Sequence, residues 1–425
     1  MAHHVTLPAV DVPVVEEVDV LVCGGGPAGT AAAYAAVKLG ARTLVVERYN
    51  CLGGFVTGGL VLVIPRFRDS GRQVIGGIGI EFRDRLLHEG EAIMRSAEQS
   101  SWYFDPEGMK SVSIDLLREA GAKILLHSWC SDVVMQDGKI DAVVAVSKAG
   151  KQAFRAKMVV DTTGDLDVGH AAGAEFEKSD FGIGVCFRLG GVDVAKWQQA
   201  RREDAQRISE LHERIRVTGG WEGFMGMSPM ASEKTQAGVV WGNNQVVTSG
   251  DALDPWELTR FEIKGRDATR TAVKMLREEM PGFENCWLID IAQQTGVRYS
   301  RRLMGSYVIT GTDAAQFDFR HPDSVARGND FRKEGIAFDI PRQSLVSRNV
   351  PNLLSAGRSL SCDHEAQEPM REIHVCWTSG QGAGVVAALA AHRNMDPAQV
   401  PIEDIRKELI SQGAVVGGPE GASPQ

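Results

Sequence analysis

The sequence predicts an α/β fold in which a three-layer, mostly parallel sheet carries an inserted α+β domain. Two observations predict it. Near the N-terminus a strand, a glycine-rich turn, an alanine-rich helix and a second strand follow one another, and a unit of about thirty residues in this order is a βαβ unit. Residues 176–335, in contrast, contain most of the tryptophans and long charged helical runs but no strand–glycine–helix unit.

The length of the chain indicates more than one domain, because 425 residues exceed what a single core normally supports. We predict a first part of the main domain at 1–175, an inserted substrate domain at 176–335 and the second part of the main domain at 336–412. The sequence after 336 again forms a strand, a turn and a glycine-led helix, in "VPNLLSAGRS" and "SGQGAGVVAALAAH". The final residues, 413–425, end in "GGPEGASPQ", a composition typical of a disordered tail.

The overall composition disfavours several function classes. The chain is 43% apolar and 24% charged, as in soluble globular proteins, and its formal charge of −9 argues against nucleic acid as a partner. The seven cysteines are dispersed and form no C-x-x-C pair, so no metal site is expected. The N-terminus lacks a leader pattern, and no uncharged run approaches the roughly 18 residues of a membrane helix. We therefore expect a cytoplasmic protein with reduced thiols and no membrane contact.

The first turn carries the motif G-x-G-x-x-G as Gly24, Gly26 and Gly29, followed by an acid at the end of the next strand. The glycines allow a tight turn, close approach of a pyrophosphate and close helix–strand packing, while the N-terminus of the helix offers free N–H groups. An acid at the second strand end accepts hydrogen bonds from ribose hydroxyls. The strand, the helix and the acid agree, so a chance turn is disfavoured and a dinucleotide site is predicted at Gly24, Gly26, Pro27, Ala28, Gly29, Glu47 and Arg48.

Three later segments favour FAD over NAD as the dinucleotide. "VVDTTGD" is a strand-end turn of the kind that makes a second contact with the dinucleotide, "NLLSAGRS" is a late strand that ends in Gly-Arg, and "SGQGAGVVAALAAH" reads as the glycine-rich start of a helix. Such a helix start places N–H groups and a positive dipole near the flavin ring. Each segment alone is an ordinary turn or cap, but their order predicts FAD contacts at Thr163, Gly164, Asp165, Gly357, Arg358, Gly380, Gln381, Gly382 and Ala383.

These motifs together resemble a known family. With "ERYNCLGGFVTGGLV", "FDPEGMK" and "GVRYSRRLMGSYVIT", the chain is similar to the FAD-dependent oxidoreductases of the two-dinucleotide type that are distantly related to succinate dehydrogenase and fumarate reductase flavoprotein subunits. The resemblance implies noncovalent FAD, a split flavin domain and an active site between that domain and the insertion. The remaining expected FAD contacts are Gly53, Gly54, Thr57 and Val133.

The chain departs from the family pattern at two places. Tyr299 stands where the family usually has a glutamate, and "GNDFRKEGIAFDIP" lacks the histidine that often precedes the "DIP" segment. The substrate or the arrangement of the site is therefore expected to differ from that of relatives.

The catalytic candidates are two histidines and two arginines. Proton transfer at neutral pH suits a histidine, and His364 and His374 precede the predicted flavin-facing helix. A guanidinium binds a carboxylate in a bidentate manner, and Arg298 and Arg371 match family positions. The alternatives are a histidine bonded to the backbone and an arginine in an inter-domain salt bridge.

The sequence thus predicts an FAD-dependent dehydrogenase, oxidase or reductase that transfers a hydride between flavin and a small polar or anionic substrate. No second nucleotide fingerprint is present, so the expected electron acceptor is oxygen, a quinone or a partner protein. A flavin monooxygenase and an electron-transfer or RNA-modification flavoprotein subunit are alternatives, as is a flavin-binding protein without chemistry. The chain is also expected to form a homo-oligomer.

Overall fold

A seven-stranded sheet lies at the centre of the structure, a computed structural model that describes residues 5, 8–90, 92–94, 101–179, 182–230 and 237–418. Its parallel part contains, in spatial order, Lys123–Leu125, Thr43–Val46, Val14–Cys23, Gly150–Asp161 and Leu353–Ser355. An antiparallel hairpin, Trp129–Gln136 and Lys139–Ser147, pairs with the first half of Gly150–Asp161. The predicted α/β fold with a mostly parallel sheet is confirmed.

Two helices pack against each other beside this sheet, Pro27–Lys38 and Ile373–Arg393. Pro27 occupies the first turn of its helix, which tolerates the missing N–H, and Gly40 with φ +84° follows its end. The contact is close because both faces carry small residues. A Cβ on Gly380 would lie 2.2 Å from the Ala28 carbonyl oxygen, and one on Gly384 would lie 2.2 Å from that of Ala32.

A second, antiparallel sheet of five strands lies within the predicted insertion. Its strands are Ser228–Pro229, Val240–Val247, Ile183–Gly190, Trp287–Ile291 and Gly296–Val297. The helices Val194–Glu203, Ala205–Gly219 and Pro255–Glu279 belong to the same region and share a buried core with it. Val325, Phe338 and Ile340 pack instead with the core of the first helix. The boundaries at 176 and 335 stay a prediction.

Shorter elements complete the part of the chain that the structure describes. Its other helices are Ile78–His88, Pro106–Ala120, Asp167–Ala171, Gly311–Ala315, Gln367–Met370 and Ile402–Ser411, with 3₁₀ turns at Gly54–Val56, Arg342–Ser344, Gly357–Ser359 and Pro397–Gln399. One small sheet has three strands, in the order Val63–Ile64, Trp102–Phe104 and Ala92–Met94. The two-stranded sheets pair Arg68–Asp69 with Arg72–Gln73, Phe176–Lys178 with Arg301–Leu303, and Ser324–Asn329 with Ala337–Pro341.

The end of the chain is packed further than the sequence predicts. Ala414, Val415 and Val416 are buried, and the Gly413 carbonyl accepts a hydrogen bond of 2.7 Å from the Gly77 amide. The packed chain therefore reaches residue 418 rather than 412, because three apolar residues precede the glycine-rich end; residues 419–425 of the predicted tail lie outside the described residues. Within the described ranges, none of the helices has the length and apolar character of a membrane span.

Candidate functional site

A cleft with about 1120 Å³ of space, part of it open to solvent, lies at the carboxyl ends of the parallel strands. Parallel strands end at one edge of a sheet, and in open α/β sheets this edge is where ligands bind. Many of the predicted site residues meet here although they are distant in sequence. Those that line the cleft are Gly24, Gly26, Pro27, Ala28, Glu47, Arg48, Gly54, Thr163, Gly164, Gly357, Arg358 and Arg371.

The three glycines of the first turn have the separate tasks that the motif predicts. Gly24 adopts φ +102°, which favours glycine, and a Cβ on Gly29 would lie 1.9 Å from the Gly24 carbonyl oxygen. A Cβ on Gly26, in contrast, would meet no atom within 4 Å and would project into open space. Gly26 caps the helix Pro27–Lys38, so the turn leaves room for a phosphate at a helix N-terminus. These residues fit a dinucleotide.

The acid at the end of the second strand is held by backbone amides. Glu47 is buried and accepts hydrogen bonds from the amides of Gly25 at 2.6 Å and Tyr49 at 2.9 Å. The Arg48 guanidinium lies over the rings of Tyr49 and Trp129, at 4.8 and 5.2 Å from their centroids. The sequence analysis did not predict that Tyr49 and Trp129 line the cleft. The available signal was an aromatic residue close to the predicted ribose-binding acid, Glu47.

The predicted contacts in "VVDTTGD" separate into two groups. Thr163 and Gly164 line the cleft, but Asp165 does not. Asp165 instead accepts hydrogen bonds from the Ser300 hydroxyl at 2.6 Å and from Arg358 at 2.8 Å. The same arginine donates to the Val297 carbonyl at 2.5 Å and lies over the Phe55 ring. Asp165 and Arg358 thus form a bridge beside the cleft.

Four further predicted cofactor contacts lie in or near short turns and strands. Gly53 and Gly54 have positive φ, +100° and +53°, and shape the turn Gly54–Val56. Thr57 is buried and its hydroxyl donates to the Leu52 carbonyl at 2.8 Å, within its own turn. Val133 pairs with Val143 and packs on the core of the sheet. Of these four, only Gly54 lines the cleft.

The late helix begins earlier than the sequence predicts. It starts at Ile373, six residues before Ser379, so Gly380, Gln381, Gly382 and Ala383 lie from its third turn onward and not at its N-terminus. Gly380 packs on the first helix, a Cβ on Gly382 would lie 2.8 Å from the Val325 carbonyl, and Gln381 accepts from the Ile78 amide at 3.2 Å. The glycines serve helix packing. The residues at the true helix start that line the cleft are Arg371, Glu372, Ile373 and Cys376.

The two candidate arginines differ in position and in partners, since Arg371 lines the cleft and Arg298 does not. Arg371 binds Glu368 through Nε at 3.1 Å and Nη2 at 2.7 Å, and Glu372 through Nη1 at 3.6 Å. Burial opposes its charge, but Glu372 and Glu368 hold the pKa of Arg371 above its usual range. Arg298 forms no ion pair or hydrogen bond with any described residue, and burial, then the charge of Arg371, lower its pKa. Of the two arginines, only Arg371 is ion-paired with described residues, while Glu368 acts on Arg298 at longer range.

The two candidate histidines occupy different environments, and neither lines the cleft. His364 is exposed; its ring contacts Tyr299 edge-on at 5.4 Å and its Nδ1 lies 3.3 Å from the Ser179 hydroxyl. His374 is completely buried, with Nε2 at 2.9 Å from Oδ1 of Asn329. Burial lowers the pKa of His374 to about 3, so this side chain is neutral at physiological pH and is not suited to proton transfer there.

Two polar residues that the sequence analysis did not select also line the cleft, Gln294 and Asp167. Gln294 comes from the predicted insertion and packs closely on Gly58. A Cβ on Gly58 would lie only 2.4 Å from the amide nitrogen of the Gln294 side chain. Asp167 follows the "TTGD" turn. Its position two residues after Asp165, a predicted FAD contact, was the available signal that it belongs to the site. Glu372 also lines the cleft, and burial raises its pKa.

Comparison with known proteins agrees with this geometry. A family model described as FAD dependent oxidoreductase matches residues 19–409. Thiamine thiazole synthase from Methanococcus vannielii is 33% identical over 182 residues, which cover 40% of this chain and 64% of that protein. The enzyme of the same name from Methanococcus aeolicus is 31% identical over 157 residues, 35% of this chain and 55% of that protein. The chain thus spans between about half and two thirds of these curated relatives.

Two solved structures show the same fold. A geranylgeranyl bacteriochlorophyll reductase-like protein from Thermoplasma acidophilum matches with a TM-score of 0.51 at 18% identity, over 94% of this chain and 84% of that chain. The p-nitrophenol 4-monooxygenase PnpA from Pseudomonas putida matches with a TM-score of 0.50 at 11% identity, over 94% and 85% of the two chains. At these identities the likeness concerns the fold alone.

Proposed function

Because the chain belongs to the family of FAD-dependent oxidoreductases, we propose that it transfers a hydride between FAD and a small organic substrate that carries an anionic group. The enzyme class and the cofactor follow from the family. When bound, FAD supplies a ring that accepts or releases a hydride. Gly24, Gly26 and Glu47 would hold the dinucleotide end of FAD, and the start of the helix Ile373–Arg393 would face its ring.

One observation supports the anionic substrate. The charge of Arg371 acts on Arg298, and Arg371 is ion-paired with two carboxylates, whereas Arg298 forms no ion pair with any described residue and Glu368 acts on it only at longer range. A guanidinium without a partner beside a second cation is electrostatically unfavourable, and a bound anion would relieve this. In this proposal Arg298 binds the substrate anion, with Arg371 beside it.

The proton in this reaction requires an acid or base near the substrate. Glu372 lies in the cleft, its shortest ion-pair contact is 3.6 Å, and burial raises its pKa, all of which favour a role in proton exchange. His364 lies beyond Tyr299, on the exposed side. We therefore propose Glu372 as the group that exchanges the proton; the role of His364 as acid or base stays a prediction.

The test is to mix the purified yellow protein anaerobically with small hydroxy, amino and saturated acids. Reduction of the flavin is monitored as a loss of its absorbance. With the best acid, Arg298→Met should keep its FAD and reduce at least about 10²-fold more slowly, because a positioned charged contact is lost. Arg298→Lys should restore part of the rate. Arg270→Met, at an exposed arginine of the helix Pro255–Glu279, is the matched control. A wild-type rate in Arg298→Met would remove this residue from the substrate site.

A flavin monooxygenase remains the alternative, and NADPH-driven oxygen consumption without release of peroxide would favour it. The electron acceptor, the cytoplasmic location and the homo-oligomeric state stay predictions.

A further inference from the structure

Asp167 lines the cleft, three residues after the Thr163–Gly164 turn, which also lines it. Its amide donates to the Thr163 hydroxyl at 3.0 Å, which holds the residue against this turn. One carboxyl oxygen, Oδ1, contacts Nη1 of Arg301 at 3.3 Å. Among the described residues nothing else is hydrogen-bonded to the Asp167 side chain, so its second oxygen is available to a ligand in the cleft.

Two neighbouring aspartates have their carboxylates satisfied. Asp161 accepts from the Thr163 amide at 3.0 Å, the Thr163 hydroxyl at 2.7 Å and the Gly169 amide at 2.8 Å. Asp165 accepts two hydrogen bonds at Oδ1, from Ser300 at 2.6 Å and from Arg358 at 2.8 Å. Donated hydrogen bonds favour the ionised form, and although burial raises the pKa of Asp161, that residue does not face the cleft. Asp167 is the least compensated of the three.

The charges around Asp167 also favour a proton on it. Burial first, then the negative charges of Asp165 and Asp161, raise the pKa of Asp167 to about 6, against the opposing effect of Arg48 and Arg301. The remaining titratable group on its short helix, His170, has a pKa lowered by burial and by Arg301. A pyrophosphate bound in the same cleft adds negative charge and must raise the pKa of Asp167 further.

We propose that Asp167 belongs to the FAD site as a protonated carboxyl that donates a hydrogen bond, so that the binding of FAD takes up a proton. An ionised carboxylate here would repel the dinucleotide, whereas the neutral acid attracts it. This inference goes beyond the proposed function, since it concerns the retention of FAD and holds whichever substrate is used.

This proposal is tested by diluting the holoprotein and measuring the released FAD by its fluorescence. The wild-type Kd should rise about 3- to 10-fold between about pH 6 and about pH 8, which lies within the limit of tenfold per pH unit that linkage to one proton sets. Asp167→Asn, which keeps a hydrogen-bond donor without titrating, should bind FAD with a Kd that is flat over this range. Asp132→Asn, at an exposed surface aspartate, should keep the wild-type slope.

Calorimetry of FAD binding at about pH 7, in two buffers of different ionisation enthalpy, measures proton uptake by the wild type directly and decides the matter if Asp167→Asn does not fold. The proposal would be overturned by a wild-type Kd that is independent of pH or by the absence of proton uptake. It would also be overturned if Asp167→Asn kept the wild-type slope, if Asp167→Asn folded but bound no FAD, or if the Kd of Asp132→Asn did not change with pH. Failure of the wild type to bind FAD at any pH would instead overturn the proposed function.

Discussion

The Tyr299 hydroxyl donates a hydrogen bond to Glu368, and the same carboxylate binds the Arg371 guanidinium in a bidentate manner. The resemblance to the family leads us to expect a departure at Tyr299, where a glutamate is usual. The carboxylate that binds Arg371 belongs to Glu368, three residues earlier in the chain. Tyr299 and Arg371 therefore share Glu368 as a hydrogen-bond partner.

Replacing Glu368 by Gln tests this arrangement. The change keeps the size of the side chain but removes the charge that binds Arg371, so we expect the free energy of unfolding to fall by about 1.5–3 kcal/mol, the range for hydrogen bonds to charged groups. Tyr299→Phe should lower the free energy of unfolding by about 1 kcal/mol, the typical net contribution of one hydrogen bond. Urea denaturation measures both. Glu403→Gln, at an exposed glutamate, should change stability by less than about 0.5 kcal/mol; an equal loss there would contradict the special role of Glu368.

Gly26 and Gly29 should respond differently to added side chains. Gly26→Val projects into the open cleft, so the melting temperature should stay within a few degrees of wild type while FAD binds at least about tenfold more weakly. Gly29→Ala should lower the melting temperature strongly, because its Cβ would meet the Gly24 carbonyl. Thermal melts and FAD fluorescence separate the two effects. Normal FAD affinity in Gly26→Val would exclude the phosphate from this turn.

Gly380 should matter for stability and not for direct contact with FAD. Gly380→Ala forces the two packed helices apart at the Ala28 carbonyl, and overpacking of this kind costs about 1–3 kcal/mol of unfolding free energy. Gly26→Ala, the same change in open space, is the matched control for stability. If Gly380→Ala kept full stability but lost FAD, the original prediction of a flavin contact would be restored.

His374 should make the protein sensitive to acid. Its pKa is lowered by burial from 6.5 to about 3 in the folded state, so the unfolded chain binds the proton more readily and stability falls as the pH drops from 6.5 towards 3. His374→Gln should lose part of this slope. Urea denaturation at several pH values measures it, with His392→Gln, at the exposed end of the same helix, as control. The same slope in His374→Gln would show that other groups control acid unfolding.

Local patterns predicted the nucleotide-binding part well. The turn from Gly24 to Gly29 and the acid Glu47 are defined by neighbours in sequence, and the structure brings them to one cleft. The late helix was placed incorrectly because its glycines suggested a helix start, whereas Gly380 and Gly384 allow close packing on a helix more than 300 residues earlier. No local signal distinguishes these two uses of glycine.

By itself, the sequence determined the α/β class, the dinucleotide turn and the family, because strand periodicity, glycine spacing and strand-end acids act over a few residues. Only the tertiary structure decided which charges remain available. Arg371 is ion-paired with Glu368 and Arg358 with Asp165, whereas Arg298 forms no ion pair with any described residue. The physical reason is that the free energy of a charge depends on burial and on neighbours from distant elements, which packing alone brings together.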